Sequence, residues 1–482
     1  MENRHLDLSV FSNSLQKMVA KNDQLLDYWG RKTKKVKEYS PEEIERIINS
    51  GDLDSICSLS RNYFAKDGFY RRLLIYYATI LMYYGILIPN SISGKLSPKK
   101  YRNALNYLDK MDLQNLLTDI SLKVLVDGCY YGIVFATKDG FSILRMPTNH
   151  CRTRYVDLQG NDIVEFDVSY FSTIYDDDTR EQTLKVYPKE VVAHYRKWIK
   201  GKVSSPWVVI TAAGVVCFYL TDDCRPMFLN VIPATIDYDD AVDTEQERAL
   251  EEIRKIIVQK IPHLNDGQLL FEPDEAEEMH TGAVNMMKGN KNLSVLTTYA
   301  DVEAVVSKTS ADTVSNSLEK MVQNIYAQAG TSSLLFATTG TQALGTSIAN
   351  DMAMMMILGN KYSKFVTFVI NTLFANTTLK FDWKLLPISY YNQKDFIDQS
   401  LKLAQSGYSF LLPSIASGVS QGALTQLKEL ENDVLDLGSV LIPLSSSYTQ
   451  SGEVGRPEKD PEEKAQKTIQ NEDAINNQGG SE

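Results

Sequence analysis

The residues closest in type and spacing to a known chemistry lie in "SLLFATTGTQALGTSIAND", Ser333 to Asp351. Gly340, Gly345 and Ser347 have the spacing of a phosphate-cradling loop, G-x-x-x-x-G-K-[ST]. The lysine that would reach the β- and γ-phosphates is replaced by Thr346. Only backbone N–H groups and a helix dipole of about half a unit charge would then hold a phosphate. The β-rich stretches elsewhere do not alternate with helices as a P-loop fold requires. A P-loop-like nucleotide-binding enzyme is therefore the weaker alternative.

The other chemistry-bearing residues are scattered. The five histidines (His5, His150, His194, His263, His280) contain no pair at metal-ligand spacing. The five cysteines (Cys57, Cys129, Cys151, Cys217, Cys224) contain no Cys-x-x-Cys, so isolated buried thiols are expected. There is no G-x-S-x-G nucleophile elbow. The carboxylate runs "EPDEAEE" and "YDDDTREQ" read as solvated loops, and Lys32, Lys34, Lys35 and Lys37 as a solvated basic face. Met352, Met354, Met355 and Met356 read as adaptable packing. No catalytic residue, cofactor or metal is expected.

Composition narrows the class further. The 482 residues carry 50 Lys and Arg against 61 Asp and Glu, a net charge of -11. That balance disfavours a chain that grips nucleic acid by neutralising phosphates, though not one that merely surrounds it. The opening "MENRHLDLSVFSNSLQK" lacks the apolar core of a signal peptide. Leu73–Ile88 is uncharged but shorter than the roughly 20 residues a membrane span needs. It also carries Tyr76, Tyr77, Tyr83 and Tyr84, whose hydroxyls want partners, so it reads as one buried core helix. A membrane-associated protein is the other alternative.

The elements that must position these residues follow from pattern. "SPEEIERIINSG" starts on Ser40 with Pro41 in the first turn and Glu43 completing a capping box, and stops at Gly51. From 121 to 236 the chain is β-rich, with hairpins expected around Asp139-Gly140 and near Ala213-Gly214, and Pro233 closes the region. "VDTEQERALEEIRKIIVQKIP" reads as a charged helix capped by Thr244 and Glu247 and ended by Pro262. Leu250, Ile253 and Ile257 form its narrow apolar stripe, and Arg248/Glu252 and Glu251/Lys255 are spaced as i,i+4 pairs. A small insert follows, then a second helix ending at Gly330, so the two helices read as a stalk that goes out, builds a tip and returns. A long helix comes after the Gly/Thr loop, then the strand "LKFDWKLLPISY", two amphipathic helices, and from Thr449 a polar tail expected to be disordered.

Six stretches, in order, resemble the portal proteins of tailed bacteriophages, of the type found in phages of low-GC Gram-positive bacteria. They are "GFYRRLLIYYATILMYYGILIPN", "VDGCYYGIVF" with "FSILRMPTNHCRTRY", the opening "SLLFATTGTQALGTSIANDM", "WKLLPISYYNQKDFIDQSLKLAQSGYSFLLPSIASG", "LKELENDVLDLGSVLIPLSSSYTQSG" and "GRPEK". The resemblance implies an α+β portal-like fold. Its parts would be an N-terminal wing over 1–240, stem helices over 241–262 and 309–330, and a clip over 263–308. A tunnel loop over 331–345, a wing helix and strand over 346–392, a crown over 393–445 and a tail over 446–482 would complete it. It further implies a non-enzymatic ring, typically of about twelve subunits, at a capsid vertex of the virion, assembled in the host cytoplasm and conducting double-stranded DNA. Partners implied are the terminase large subunit, a head-tail adaptor, and the major capsid and scaffolding proteins. On that reading Thr338, Thr339, Gly340, Thr341 and Gln342 line the channel. Glu245, Glu247, Glu251 and Glu252 face the lumen or a neighbouring subunit, and Glu272, Asp274, Glu275, Glu277 and Glu278 form the clip surface.

Overall fold

Ser40 and Gly51 bracket the first helix, α1 (Pro41–Ser50): the Ser40 hydroxyl accepts from the Glu43 N–H at 3.3 Å, and Gly51 takes the left-handed conformation at φ 72. The computed structural model describes residues 39–91, 97–138, 140–157, 162–211, 214–253, 255–260, 272–286, 293–298, 311–332, 342–375 and 379–436. The Lys32–Lys37 run and the polar tail from Thr449 lie outside them. By contact density the chain divides after Ala423.

Helices α2 (Leu53–Lys66) and α3 (Gly68–Thr79) are separated by Asp67 alone, whose carboxylate accepts from the N–H groups of Phe69 and Tyr70. The stretch Leu73–Ile88 is not the single helix its apolarity suggests. The helix ends at Thr79, Tyr83 turns the chain at φ 54, and β1 (Gly85–Ser91) begins. The turn is held from inside, because the buried Tyr83 hydroxyl bonds Ala78 O and the Ser121 hydroxyl. Among the described residues no helix is long and apolar enough to cross a membrane. Helices α4 (Pro98–Met111) and α5 (Leu113–Asp127) follow, joined at Asp112, φ 47.

β2 (Cys129–Ala136) and β3 (Phe141–Arg145) form the expected hairpin, with Ala136 opposite Phe141. The second expected hairpin does not form. β4 (Cys151–Val156), β5 (Asp162–Asp167) and β6 (Trp207–Val209) make one sheet in the order 4-5-6, whereas β7 (Val215–Tyr219) joins the other, in the order 3-2-7. The two runs of "PWVVITAAGVVCFYL" thus pair with different strands, and both stay antiparallel. Nor is "YDDDTREQ" a loop. Asp176 caps α6 (Asp177–Val186) by accepting from Thr179 N at 2.8 Å, and Asp177 and Asp178 sit in the first turn, where the helix dipole favours them. α7 (Lys189–Ile199) completes this layer. Its aromatic core centres on Phe166 and Phe171, both fully buried.

Pro233 does not close the β-rich region but lies in the first turn of α8 (Val231–Ile253), where a missing N–H costs nothing. Thr244 is mid-helix, its hydroxyl donating to Asp240 O rather than capping. The helix stops at Ile253, and β8 (Lys255–Lys260) takes up Ile257 and Lys255, so Glu251/Lys255 is not a helical pair. α9 (Pro273–Met286) and β9 (Leu293–Thr298) follow, with β8 and β9 parallel, so the insert is a small β-α-β unit. Its β-branched run "IIV" serves a strand better than a helix. The return helix α10 (Ala311–Gln328) packs along α8. The long helix α11 (Gln342–Phe374) runs to β10 (Leu379–Leu385), which is antiparallel to β1. Met352 and Met355 are buried in the main core, as packing methionines should be.

Among the described residues the β1–β10 ribbon has no third strand. Instead, α11 offers polar side chains one turn apart to the free edge of β10. Ser363 Oγ accepts from Leu385 N (3.1 Å), Thr367 Oγ1 from Trp383 N (2.9 Å), and the Asn371 amide both accepts from Phe381 N and donates to Phe381 O at 2.8 Å. Two strand residues rise about 6.7 Å and one helical turn 5.4 Å, close enough for three successive matches. On the other edge the Gln421 side chain accepts from Leu87 N at 3.0 Å. Asn371→Leu would strand both polar groups of Phe381, and a loss of about 2 kcal/mol is expected by chemical denaturation, with Asn371→Gln recovering part of it.

α12 (Gln393–Gln405) and α13 (Leu411–Ala416) form a satellite core around Ile388 and Ile415. α14 (Gln421–Glu429) ends in a π-turn, Leu430–Val434. The architecture is α+β, as the sequence predicts.

Candidate functional site

The helices that leave and re-enter the main body converge on α3. At its start Phe69 meets Tyr238 of α8 edge-to-face at 5.2 Å between ring centroids, and Tyr326 of α10 at 6.4 Å. One turn or two further on, Tyr77 and Tyr76 reach across to α11. The Tyr77 hydroxyl donates to Asp351 Oδ1 at 2.9 Å, and that of Tyr76 to Oδ2 at 3.0 Å. Thr331, just past α10, is also hydrogen-bonded to the Tyr77 hydroxyl. Since Tyr77 spends its one proton on Asp351, Thr331 is the donor in that bond. Ser332 N–H donates to Ser347 Oγ at 3.4 Å. The two ends of segment 333–341 are therefore tied to α3 and to each other by a closed set of side-chain bonds. Of the tyrosine hydroxyls that the sequence leaves in search of partners, those of Tyr76 and Tyr77 find them here.

Burial holds the Asp351 carboxyl above the usual range, only partly offset by the bonds from Tyr77 and Tyr76. The native state then keeps a proton that the unfolded chain has lost. Stability from this group is full below the unfolded value, near 4, and is lost as pH rises through the native value. The melting temperature of wild type relative to Asp351→Asn is expected to fall as pH is raised from about 4. A constant difference across that range would contradict it.

The glycine spacing of the phosphate-loop motif has another use. α11 already begins at Gln342, so Gly345 is inside a helix rather than at the end of a loop. A Cβ there would collide with the Tyr391 hydroxyl. Gly345 is small because Tyr391 packs on it. Of the channel residues expected from the sequence, Thr338, Thr339, Gly340 and Thr341 lie outside the described residues, and Gln342 belongs to α11.

The expected acidic residues lie on two elements. α8 carries Asp237, Asp239, Asp240, Asp243, Glu245, Glu247, Glu251 and Glu252 against Arg248 alone, a formal charge of −7 on 23 residues. Asp237, Asp239, Asp240, Asp243 and Glu247 are exposed, and Glu245 is half-buried. Glu251 and Glu252 occupy the last turn, where the helix dipole disfavours carboxylates. At 100° per residue Glu245 and Glu252 share one face and Glu247 and Glu251 another, about 130° away. Asp237, Asp239 and Asp240 precede the helix start that the sequence pattern suggests, and the true start at Val231 brings them into α8.

Glu272, Asp274, Glu275, Glu277 and Glu278 are exposed, as expected, but not on a loop. Pro273 and the acids after it are a helix start, and Glu275 Oε2 accepts from Glu272 N at 3.2 Å. Among the described residues no group of His, Cys, Asp and Glu is arranged to hold a metal ion.

No protein-family model and no curated protein matches the chain. Among solved structures it is similar to a chain of the virion of a native gene transfer agent particle, at 12% identity and TM-score 0.39, covering 73% of this chain and 89% of that one. It is also similar to a chain in the neck of the native particle computed with C12 symmetry, at 13% identity and TM-score 0.38, covering 74% and 89%. The neck of the empty particle computed with C6 symmetry gives 13% identity and TM-score 0.40, covering 73% and 90%. Each is a distant likeness in chain trace.

Proposed function

We propose that the chain is the subunit of a phage portal, a ring at one capsid vertex through which double-stranded DNA enters and leaves. The observation that carries this reading is α8, a helix of charge −7 held beside α10 and joined to it through a small β-α-β tip. A conduit must not grip DNA, since each released counterion adds affinity and therefore friction. An acidic stem meets that need, and acids retained in its last turn against the helix dipole point to a demand other than stability. On this reading α8 and α10 are the stem, the β-α-β unit is the clip that docks terminase and the head-tail adaptor, and closed cyclic symmetry supplies side-by-side neighbours. The virion is its location, and the ring has no catalytic role of its own.

Electron microscopy of the purified chain, alone and with scaffolding and capsid protein, tests this. Rings with a central hole are expected. Compact monomers under every one of these conditions would overturn the proposal.

A further inference from the structure

Among the described residues no large apolar side chain is more exposed than Tyr175, at 100%. Its backbone is nevertheless held on both sides. Ile174 packs against the aromatic core of the β4–β6 layer, and its carbonyl accepts from Arg180 Nη1 at 3.2 Å. Asp176 is the cap of α6, fixed by its bond from the Thr179 N–H. The ring thus stands on a rigid turn and has only its two side-chain torsions to lose on burial, which suits an anchor for a partner. Asp176, Asp177 and Asp178 are exposed beside it. Asp177 is paired with Arg180, so Asp178 is the rim charge left over.

A matching hollow lies on the main core of the same chain. Between α11 and β10 there is a cavity of about 280 Å³, lined by Asn360, Lys364 and Thr367 from the helix and by Asp382, Trp383 and Lys384 from the strand. It has room for one phenol ring. Lys384 Nζ lies 3.5 Å from the Asp382 carboxylate, so the surplus charge of the hollow is that of Lys364, which is exposed. A second cavity, of about 150 Å³, is lined by four of the five cysteines, but its walls carry Asp54, Asp222 and Asp223 against Arg152 and would repel an acidic knob.

We propose that Tyr175 of one copy of the chain seats in the α11–β10 hollow of a second copy, with Asp178 facing Lys364. The ring supplies the buried anchor, and the charge pair at its rim fixes orientation. The two patches differ, so the contact is heterologous, the kind that closes into a ring when the rotation allows. This rests on the ring reading above and names a contact that builds it.

The test uses the full-length chain with a benzophenone amino acid placed at 175, in an equal mixture of isotopically light and heavy copies. It is assembled, irradiated and mapped by mass spectrometry. Mixed light–heavy links from 175 to 360–384 are expected. Tyr175→Ala should raise the concentration needed for assembly by about tenfold or more. Asp178→Lys and Lys364→Glu should each weaken assembly, and the two together should recover it. All three positions are exposed, so each variant should melt close to wild type. Rings whose links from 175 fall elsewhere, rings indifferent to Tyr175→Ala, or a charge swap that recovers nothing would overturn this contact and leave the ring reading standing. A chain that stays monomeric and unlinked with scaffolding and capsid protein present would overturn both.

Discussion

Gly128→Ala is expected to lose the fold. Gly128 ends α5 at φ 78, a conformation that costs an L-residue roughly 1–2 kcal/mol. Its Cβ would also overlap the carbonyl of Cys224 and the backbone of Arg225. Neither side can retreat: β2 starts one residue later and is bonded to β7, with Cys129 opposite Tyr219, and Cys224 already has a positive φ. The combined cost should exceed about 3 kcal/mol, enough to send much of the chain into the insoluble fraction. Gly140→Ala is the matched control, since nothing lies within 4 Å of a Cβ there, and it should melt close to wild type. Soluble yield and thermal melts of both variants decide the matter. A Gly128→Ala variant with wild-type melting would show that this crossing can relax.

The second large effect is functional and rests on the portal reading. Reversing Glu245 and Glu252 to Lys, or Glu247 and Glu251, adds two cations per subunit on one face of α8. In a ring of about twelve such subunits, the face toward the DNA would gain enough phosphate contacts to make binding steep in salt, each contributing close to one unit to the logarithmic slope. For that pair, packaged DNA should fall by at least tenfold while rings still form. For the other pair, which would meet a neighbouring subunit, ring formation should suffer first. Packaged DNA per particle and ring yield by microscopy separate the two. Equal, mild effects of both reversals would remove α8 from the channel wall.

Local signals carried a good deal. Ser40 and Gly51 located α1 because caps and left-handed glycines act within one turn. The β2–β3 hairpin was legible from alternation around Asp139-Gly140. Gly330 marked the end of α10, and the acids of α8 advertised a solvated helix. Errors arose where two elements compete for one pattern. Leu73–Ile88 is uniformly apolar, so periodicity could not say where helix gives way to strand. The answer came from β10, which pairs with Ile86 and Ile88, and from Ser121, which bonds Tyr83. The β-rich reading of 207–219 was right, but strand partners are a long-range choice, and β6 and β7 chose different sheets.

What the sequence determined by itself is the list of elements, their caps, the acidic balance and the absence of a phosphate-binding lysine after Gly345. These depend on residues within a few positions of each other. What only the tertiary structure decided is which distant groups share a place. Tyr76 and Tyr77 bond Asp351, Ser363, Thr367 and Asn371 stand in for a missing strand, and four scattered cysteines line one cavity. No spacing in the chain encodes those meetings, because they follow from the requirement that each buried polar group find a partner once the apolar surfaces have closed.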